Sequence, residues 1–248
     1  MIEKVKEIAL QAGAMMLQGF EHINEKTDVA NIVTNKDIEI QDFIVEACKK
    51  LLPEATFIAE EDEVYQEQDG YQWIIDPIDG TTNFAYDFHH SAVSIGLLKD
   101  HEVILGVCYN PYLKEMFYAQ KGMGAYLNDT SIHVSKQSLS KALVLCGTSP
   151  YYKQNSDKTF LRMKKIFMAS RDIRRGGSAV LDLCYVAAGR ADAYYEEVLS
   201  PWDYAAASLI LQEAGGDMFI INGKWGFNAP LGMIAGNKTI VEEIRELI

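Results

Sequence analysis

The sequence predicts a mixed fold in which an antiparallel α+β half, residues 1–137, packs on an α/β half, residues 138–248. Two amphipathic helices open the chain, a series of short strands follows, and strands then alternate with helices to the end. The pattern changes near residues 135–140. Because no long linker separates the two parts, we expect them to share an interface. The chain has 248 residues, 48% of them hydrophobic, which is enough to bury a large core.

The first two helices are predicted from the spacing of apolar residues. Such residues recur at steps of three and four over residues 1–20, and a second stripe of the same kind begins near Thr34. Thr34 and Asp37 suit the N-cap and the first turn of this second helix, and Pro53 follows its end. Both helices should therefore cover a sheet with one apolar face.

The predicted strands fall into two groups. Apolar runs at 57–59 and 73–75 end directly in acidic residues, as buried strands do when they carry carboxylates to the edge of a sheet. Turn residues then separate the strands of an antiparallel meander, namely Ala92–Leu98, Val103–Tyr109, Glu115–Ala119 and Gly124–Leu127. The second half alternates strands at 142–147, 191–196, 218–221 and 233–235 with helices at 159–168, 178–188, 202–214 and from 238 onward.

Composition excludes several classes of function. Lys and Arg total 23 against 35 Asp and Glu, and the net charge of −12 would repel a nucleic-acid backbone. The four cysteines form no CxxC pair, which disfavours a zinc site and a disulfide framework and favours a cytoplasmic protein with reduced thiols. No apolar stretch approaches the roughly 20 residues that cross a bilayer, and charges scattered through the first residues disfavour a signal peptide.

The strongest chemical signal is the segment from Asp76 to Phe84, Asp-Pro-Ile-Asp-Gly-Thr-Thr-Asn-Phe. With Pro77 fixing a turn between them, Asp76 and Asp79 can direct both carboxylates into one pocket, together with the carbonyl of Ile78. Gly80 then permits close backbone approach, and the threonines at 81 and 82 begin a predicted helix whose free N–H groups suit an anion. A single Asp-Gly is typical of an Asx turn, but such a turn needs neither the second acid nor the paired threonines. The segment predicts a metal-assisted phosphate site.

Two further acidic positions could complete the site. Glu60 leaves the 57–59 strand directly and is either a metal ligand or, like Asp62 and Glu63 after it, part of a charged loop. Asp203 lies just before a helix-forming run and is either a ligand or a helix N-cap. Four carboxylates in one cleft would repel one another without a cation, and oxygen-only ligation favours Mg²⁺.

Five separate blocks of sequence resemble the inositol monophosphatase family, a group of Mg²⁺-dependent, lithium-sensitive phosphatases. They are residues 76–84, the segment from Trp202 to Gly216, Val33–Asp37, the Glu60-Glu61 pair and Arg174–Ala179. Ser208 is a departure, since many members carry Gly or Ala there. The haloacid-dehalogenase phosphatases fit less well, because their paired aspartates are two residues apart and not three.

The resemblance implies a layered αβαβα fold of the sugar phosphatase type and a set of site residues. By similarity, two or three Mg²⁺ ions are held by Glu60, Asp76, the Ile78 carbonyl, Asp79 and Asp203. Thr81, hydrogen-bonded to Asp37, would help Glu60 orient and deprotonate the attacking water, and no phosphoenzyme would form. The substrate-binding residues implied are Asp79, Gly80, Thr81, Ala179, Glu196 and Asp203. Homodimerisation is implied by the resemblance alone.

The expected activity is hydrolysis of a small sugar or cyclitol monophosphate such as myo-inositol 1-phosphate. Fructose 1,6-bisphosphate, 3′-phosphoadenosine 5′-phosphate and a dinucleotide phosphate are alternative substrates for the same site, and a regulatory interaction protein that keeps the fold is an alternative from another class. Arg174-Arg175 could meet a second phosphate or form a subunit contact. His89-His90 are interpreted as structural or surface groups, and Tyr151-Tyr152 and Tyr194-Tyr195 as packing residues.

Overall fold

A computed structural model of the chain describes residues 1–26, 31–62 and 66–248. The helices within these ranges are α1 (Ile2–Met16), α2 (Asn35–Leu51), α3 (Thr81–Ala85), α4 (Ser156–Ala169), α5 (Ala179–Ala187), α6 (Pro201–Glu213) and α7 (Lys238–Leu247). The strands are β1 (Ile23–Glu25), β2 (Ile32–Thr34), β3 (Thr56–Ala59), β4 (Tyr71–Asp79), β5 (Ala92–Lys99), β6 (Glu102–Asn110), β7 (Glu115–Gln120), β8 (Ala125–Leu127), β9 (Thr130–Ser131), β10 (Leu143–Cys146), β11 (Asp172–Arg174), β12 (Ala193–Leu199), β13 (Asp217–Asn222) and β14 (Leu231–Gly236). Each predicted element is present, and the strands β1, β2, β9 and β11 are additional.

The first half builds a seven-stranded sheet with the order β3-β4-β5-β6-β7-β8-β9. Only the β3–β4 pair within it is parallel, and the remaining pairs form the predicted antiparallel meander. Gly96 and Gly106 lie opposite each other in this sheet and leave room for α6. A Cβ atom on Gly106 would stand 2.4 Å from the Ala206 carbonyl oxygen, so the close approach of helix to sheet requires glycine there.

The second half builds a five-stranded mixed sheet with the order β11-β10-β12-β14-β13. Strand β10 pairs in parallel with both neighbours, whereas β14 pairs antiparallel with β12 and β13. The parallel strands are joined through helices, as the alternating sequence pattern predicted. Residues at or just after the carboxyl ends of β10, β12 and β4 line one cavity.

Three hydrophobic cores stack the two sheets into five layers. Helices α1 and α2 cover the outer face of the large sheet, where Val5 and Ile40 belong to one cluster with Ile75. Helices α5 and α6 lie between the sheets, in the cluster that joins residues such as Ile74 to Met233. The outer face of the small sheet is covered by α4 and α7, in a cluster that includes Ile166, Ile244 and Val144. The order of layers is αβαβα, which confirms the expected fold.

Two other expectations concern chain organisation. Both sheets pack against the same pair of central helices, so the two halves share a core, and their division at residues 137 and 138 stays a prediction. Among the described residues, none of the helices combines the length and apolar character that crossing a membrane requires.

Candidate metal and phosphate site

The Asp76 and Asp79 side chains lie on β4 itself, which differs from the predicted turn after a strand. Asp76 pairs with Ser94 and Asp79 with Ala92, so three steps on β4 oppose two on β5. The extra residue forms a bulge between Asp76 and Asp79, a segment in which Pro77 has no N–H to give to the ladder. In a regular strand residues three apart face opposite sides, and the bulge brings both buried acids to one side. Asp76 Oδ1 accepts from the Ile78 N–H at 3.0 Å, which fixes the first carboxylate.

Gly80 turns the chain from β4 into the short helix α3. Its φ of 84° lies in the left-handed region, and a Cβ atom there would be 3.1 Å from the carbonyl oxygens of Gly177 and His90. The turn carries Thr81 into the buried region beside α2. Thr81 Oγ1 lies 3.2 Å from both Asp37 Oδ1 and the Ile78 carbonyl oxygen, so its hydroxyl has two acceptors on its protein side.

Asp37 serves both as a helix cap and as a partner of this threonine. The side chains and backbones of Thr34 and Asp37 form a capping box at the start of α2, which accounts for the sequence signal there. Asp37 Oδ2 accepts from the Thr34 N–H at 2.9 Å and leaves Oδ1 for Thr81. Burial raises the pKa of Asp37 to about 6, although hydrogen bonds from Thr34 oppose the shift.

Glu60 opens a single 3-10 turn, Glu60–Asp62, directly after β3. Its Oε2 atom is buried and has no hydrogen-bond partner among the described residues. Burial and, to a smaller extent, the neighbouring charge of Glu61 raise the pKa of Glu60 to about 8. Glu61 already forms an ion pair with Lys26 at 2.8 Å. Asp62 is exposed, whereas Glu63 lies outside the described residues. The geometry therefore favours Glu60 as the ligand of this group.

Asp203 combines the two roles that the sequence left open. It is the third residue of α6, and its Oδ2 accepts from the Ser200 N–H at 2.7 Å in a capping box. One ligand oxygen each from Asp76, Asp79 and Asp203 can be chosen so that all lie within 4.8 Å of one another. A capping aspartate uses one oxygen for the helix, which leaves the other free to face a cation.

The acids of the cluster raise one another's pKa values. Burial raises the pKa of Asp76 well above its ordinary value, and the charges of Glu60 and Asp79 add to the effect. The pKa of Asp79 rises to about 7, and that of Asp203 rises well above its ordinary value, in both cases first because of burial. A divalent cation would relieve this repulsion. The oxygen-only donors and the partnerless Glu60 oxygen fit Mg²⁺.

The second half of the chain fixes Asp79 from the opposite side. Asp79 Oδ2 accepts from the Ser178 hydroxyl and, at 3.0 Å, from the Val180 N–H. Ser178 is the N-cap of α5 and also accepts from the Leu181 N–H at 3.2 Å. Sequence reasoning assigned no role to Ser178, although a serine just before a helix-forming run is an N-cap signal.

A cavity of 430 Å³ opens above these acids. Ala179 and Glu196, the two predicted contacts to the alcohol part of a substrate, both line it. Glu196 Oε1 accepts from the Ser149 N–H at 2.7 Å, and its Oε2 accepts from the Tyr194 hydroxyl. Every predicted site residue except Asp37 lines the cavity, and Asp37 touches it through Thr81.

The remaining predicted side chains divide between the surface and the site. His89 is exposed and lies 2.7 Å from Asp87, whereas His90 is partly buried 3.5 Å from Asp182. Arg174 pairs with Asp172 outside the cavity, and Arg175 lines it. Tyr195 is fully buried, as a packing residue should be, whereas Tyr194, although also buried, lines the cavity and donates to Glu196. Tyr151 and Tyr152 differ from the packing interpretation, because both line the cavity.

Comparison with known proteins agrees with this geometry. The sequence model of the inositol monophosphatase family matches residues 1–248. The chain belongs to this family. A relative named Nus factor SuhB, from Vibrio cholerae, is 38% identical over 240 residues, covering 94% of this chain and 90% of the relative. An inositol-1-monophosphatase from Rhizobium meliloti is 36% identical over 229 residues, covering 88% and 83%. The solved structure of an IMPase from Thermotoga maritima superimposes with a TM-score of 0.87 at 33% identity, covering 97% of this chain and 93% of that one.

Proposed function

We propose that this member of the inositol monophosphatase family is a Mg²⁺-dependent phosphomonoesterase that hydrolyses a small sugar or cyclitol monophosphate, represented by myo-inositol monophosphate. The observation that carries the proposal is the convergence of Glu60, Asp76, Asp79 and Asp203, from three separate segments, on one cavity. The acids lie beside the start of α3, whose free N–H groups suit a phosphate. A site that binds cations and an anion side by side matches the needs of phosphate ester hydrolysis.

The acids and one carbonyl would hold the metal. Glu60, Asp76 and the Ile78 carbonyl would bind one ion, and Asp76, Asp79 and Asp203 a second, while a weaker third ion would lie near Glu60. Bound Mg²⁺ would supply positive charge to the phosphate oxygens and lower the pKa of water at the site. The protein fixes the orientation of these ligands, since Asp76, Asp79 and Asp203 each give one oxygen to a protein donor.

Thr81, Asp37 and Glu60 would position and deprotonate the attacking water. The Thr81 hydroxyl can donate to Asp37 Oδ1, and its lone pair can then accept a hydrogen from water. Glu60 Oε2, which is buried and has no hydrogen-bond partner in the described part of the chain, is a second acceptor at the cavity. Water would attack phosphorus directly, so rapid quenching during turnover should yield no phosphorylated protein. A trapped phosphoenzyme would contradict this mechanism.

The remaining predicted residues would hold the substrate. The N–H groups of Gly80 and Thr81 would donate to the phosphate, and Asp79, Ala179, Glu196 and Asp203 would lie near the hydroxyl groups of the alcohol. Glu196 is preset for this purpose, because Ser149 and Tyr194 fix its carboxylate at the cavity wall. A rigid acceptor selects hydroxyl-bearing substrates by geometry.

The decisive experiment measures phosphate release with and without Mg²⁺ over inositol, sugar and adenosine phosphates. We expect Mg²⁺-dependent release with the highest kcat/KM for a cyclitol or sugar monophosphate. A preference for fructose 1,6-bisphosphate, 3′-phosphoadenosine 5′-phosphate or NADP would reject the proposed substrate class but support the proposed hydrolysis of a phosphate ester. Release from no ester, with Mg²⁺ present, would reject the enzymatic proposal.

A second candidate function is a regulatory interaction protein on the same fold. It is favoured by the relatives named Nus factor SuhB, one of which is 38% identical to this chain. The presence of Glu60, Thr81 and the three aspartates at the cavity, with Asp37 behind Thr81, argues against loss of catalysis. The net charge of −12 disfavours direct nucleic-acid binding. We keep homodimerisation, by resemblance, and a cytoplasmic location, from the four unpaired cysteines, as further proposals.

A further inference from the structure

The loop that follows β10 places a phenol at the mouth of the cavity. Pro150, Tyr151 and Tyr152 all line the cavity from this loop, together with the acids of β4. Tyr151 keeps 42% of its surface exposed, so the ring stands at the rim between solvent and the acids. None of these three residues has a role in the proposed metal or substrate set, and the loop therefore offers a contact not yet assigned.

The loop is rigid at the residue that precedes this trio. Ser149 has a φ of 44°, in the left-handed region. Its N–H donates to Glu196 Oε1 at 2.7 Å, and its hydroxyl lies 3.0 Å from both the N–H and the carbonyl oxygen of Val198. The Tyr152 N–H then closes a turn onto the Ser149 carbonyl at 2.8 Å. Because these bonds tie the loop to β12, the position of Tyr151 is set by the fold.

Tyr151 lines the same cavity as the four acids of the cluster. Burial raises the pKa of this phenol, and the negative charges of Glu60, Asp203, Asp76 and Asp79 raise it further, in that order. The phenol is therefore protonated and is a hydrogen-bond donor at neutral pH. Within the described ranges no side chain or backbone group accepts this hydrogen bond. The donor is available to a ligand that lies over the acids.

We infer that Tyr151 donates a hydrogen bond to the phosphoryl group of the bound ester. The inference rests on the proposed function, which puts the phosphate over the same acids that surround the phenol. A phosphate carries several strong acceptor oxygens, and the bond would be charge-assisted. The exposed face of the ring would at the same time cover the bound group from solvent. Tyr151 is thus a catalytic residue that the family blocks in the sequence do not include.

Binding of inorganic phosphate tests the inference without requiring turnover. Calorimetric titration with phosphate in the presence of Mg²⁺ should give a dissociation constant about tenfold higher for Tyr151→Phe than for the unmodified protein. The matched control is Tyr126→Phe, which removes an exposed hydroxyl that donates to the Met123 carbonyl. This control should bind phosphate unchanged. Equal affinity in Tyr151→Phe, or no phosphate binding by the unmodified protein, would overturn the inference.

Steady-state kinetics separate a phosphoryl contact from an alcohol contact. Tyr151→Phe should lower kcat/KM by a similar factor for myo-inositol 1-phosphate and for the acyclic ester glycerol 2-phosphate, because both carry the same phosphoryl group. A loss confined to the ring-bearing ester would show that the phenol contacts the alcohol and would reject the inference. If the unmodified protein binds phosphate but releases none from any ester, the proposed function fails, while the phosphate affinities still decide the role of Tyr151.

Discussion

Two neighbouring glutamates on β12, Glu196 and Glu197, show how this protein treats a buried acid in two different ways. Their side chains point to opposite faces of the strand. Burial raises the pKa of Glu196, whose partners are the neutral hydroxyls of Tyr194 and Ser149. Burial also acts on Glu197, but hydrogen bonds from Lys158, Tyr195 and Arg162 outweigh it and hold the pKa below its ordinary value.

The difference separates structural acids from ligand-binding acids. Glu197 faces α4, where Lys158 and Arg162 reach its carboxylate at 2.8 Å and 2.5 Å. The protein therefore supplies its own cations on that side. On the cavity side, within the described residues, the five acids form no ion pair; they are Glu60, Asp76, Asp79, Glu196 and Asp203. The charges of Lys26 and His90 lower the pKa values of Glu60 and Asp79, and Arg175 lines the cavity, but none of these cations is bound to an acid of the cluster as Lys158 and Arg162 are bound to Glu197. Buried acids that are gathered together without a cation paired to them indicate where an external cation binds.

The largest expected effect is on the acid at the centre of the cavity cluster. Asp76→Asn should reduce Mg²⁺-dependent phosphate release by roughly 10³-fold or more, because this carboxylate is the proposed bridge between two ions. Without Mg²⁺, the same change should raise the melting temperature, since one charge of a mutually repelling set is removed. The matched control is Asp69→Asn, whose side chain is 96% exposed. Unchanged turnover in Asp76→Asn would reject the site.

Asp203→Asn separates the capping role of this residue from its ligand role. An asparagine oxygen can still accept from the Ser200 N–H, so the cap of α6 should survive while the charge is lost. Unmodified protein should gain about 2.7 kcal/mol of unfolding free energy when Mg²⁺ is 100-fold above its dissociation constant. Denaturation with and without Mg²⁺ should show that Asp203→Asn loses most of this gain. A full gain in the variant would mean that Asp203 is a cap alone.

Glu197→Gln should lower stability by an amount that depends on pH, because Glu197 already forms ion pairs with Lys158 and Arg162. The change should cost about 2 kcal/mol of unfolding free energy at neutral pH, from lost charge-assisted hydrogen bonds. Since the folded-state pKa of Glu197 is lowered, its contribution is present above the ordinary value of 4.5 and is lost as pH falls through the folded value. Urea denaturation should therefore show the two proteins converging in strongly acidic solution. A difference that is constant down to low pH would contradict the charge argument.

The features that could be predicted from the sequence are those whose signal lies within a few consecutive residues. Residues 76–84 carry their chemistry in local order, so their role as an acidic phosphate motif was predictable. The Thr34–Asp37 capping box was likewise a local signal, and the structure contains it. The turn at Pro77 was wrongly predicted, because only pairing with β5 shows that the chain continues as a bulged strand. The three-residue strands β1 and β11 were missed, since so few residues show no period.

Long-range partners were beyond sequence reasoning for a different reason. The hydrogen bond from Ser178 to Asp79 joins residues 99 positions apart, and that from Ser149 to Glu196 joins residues 47 apart. Neither serine belongs to a pattern that specifies its partner. Tyr151 was interpreted as packing because a tyrosine pair has no chemical signature of its own. Its place at the cavity follows from the loop that Ser149 fixes against β12.

Ser178 gives the smallest expected effect and tests whether the second half positions a ligand of the first. Ser178→Ala should cost about 1 kcal/mol of stability, because the cap of α5 is lost. It should also raise the Mg²⁺ concentration for half-maximal activity several-fold, because Asp79 loses a donor that fixes its orientation. The KM for substrate at saturating Mg²⁺ should change less. Ser178→Thr retains a hydroxyl and should restore the Mg²⁺ dependence. A purely structural cap would lower stability in Ser178→Ala while leaving the Mg²⁺ dependence where it was.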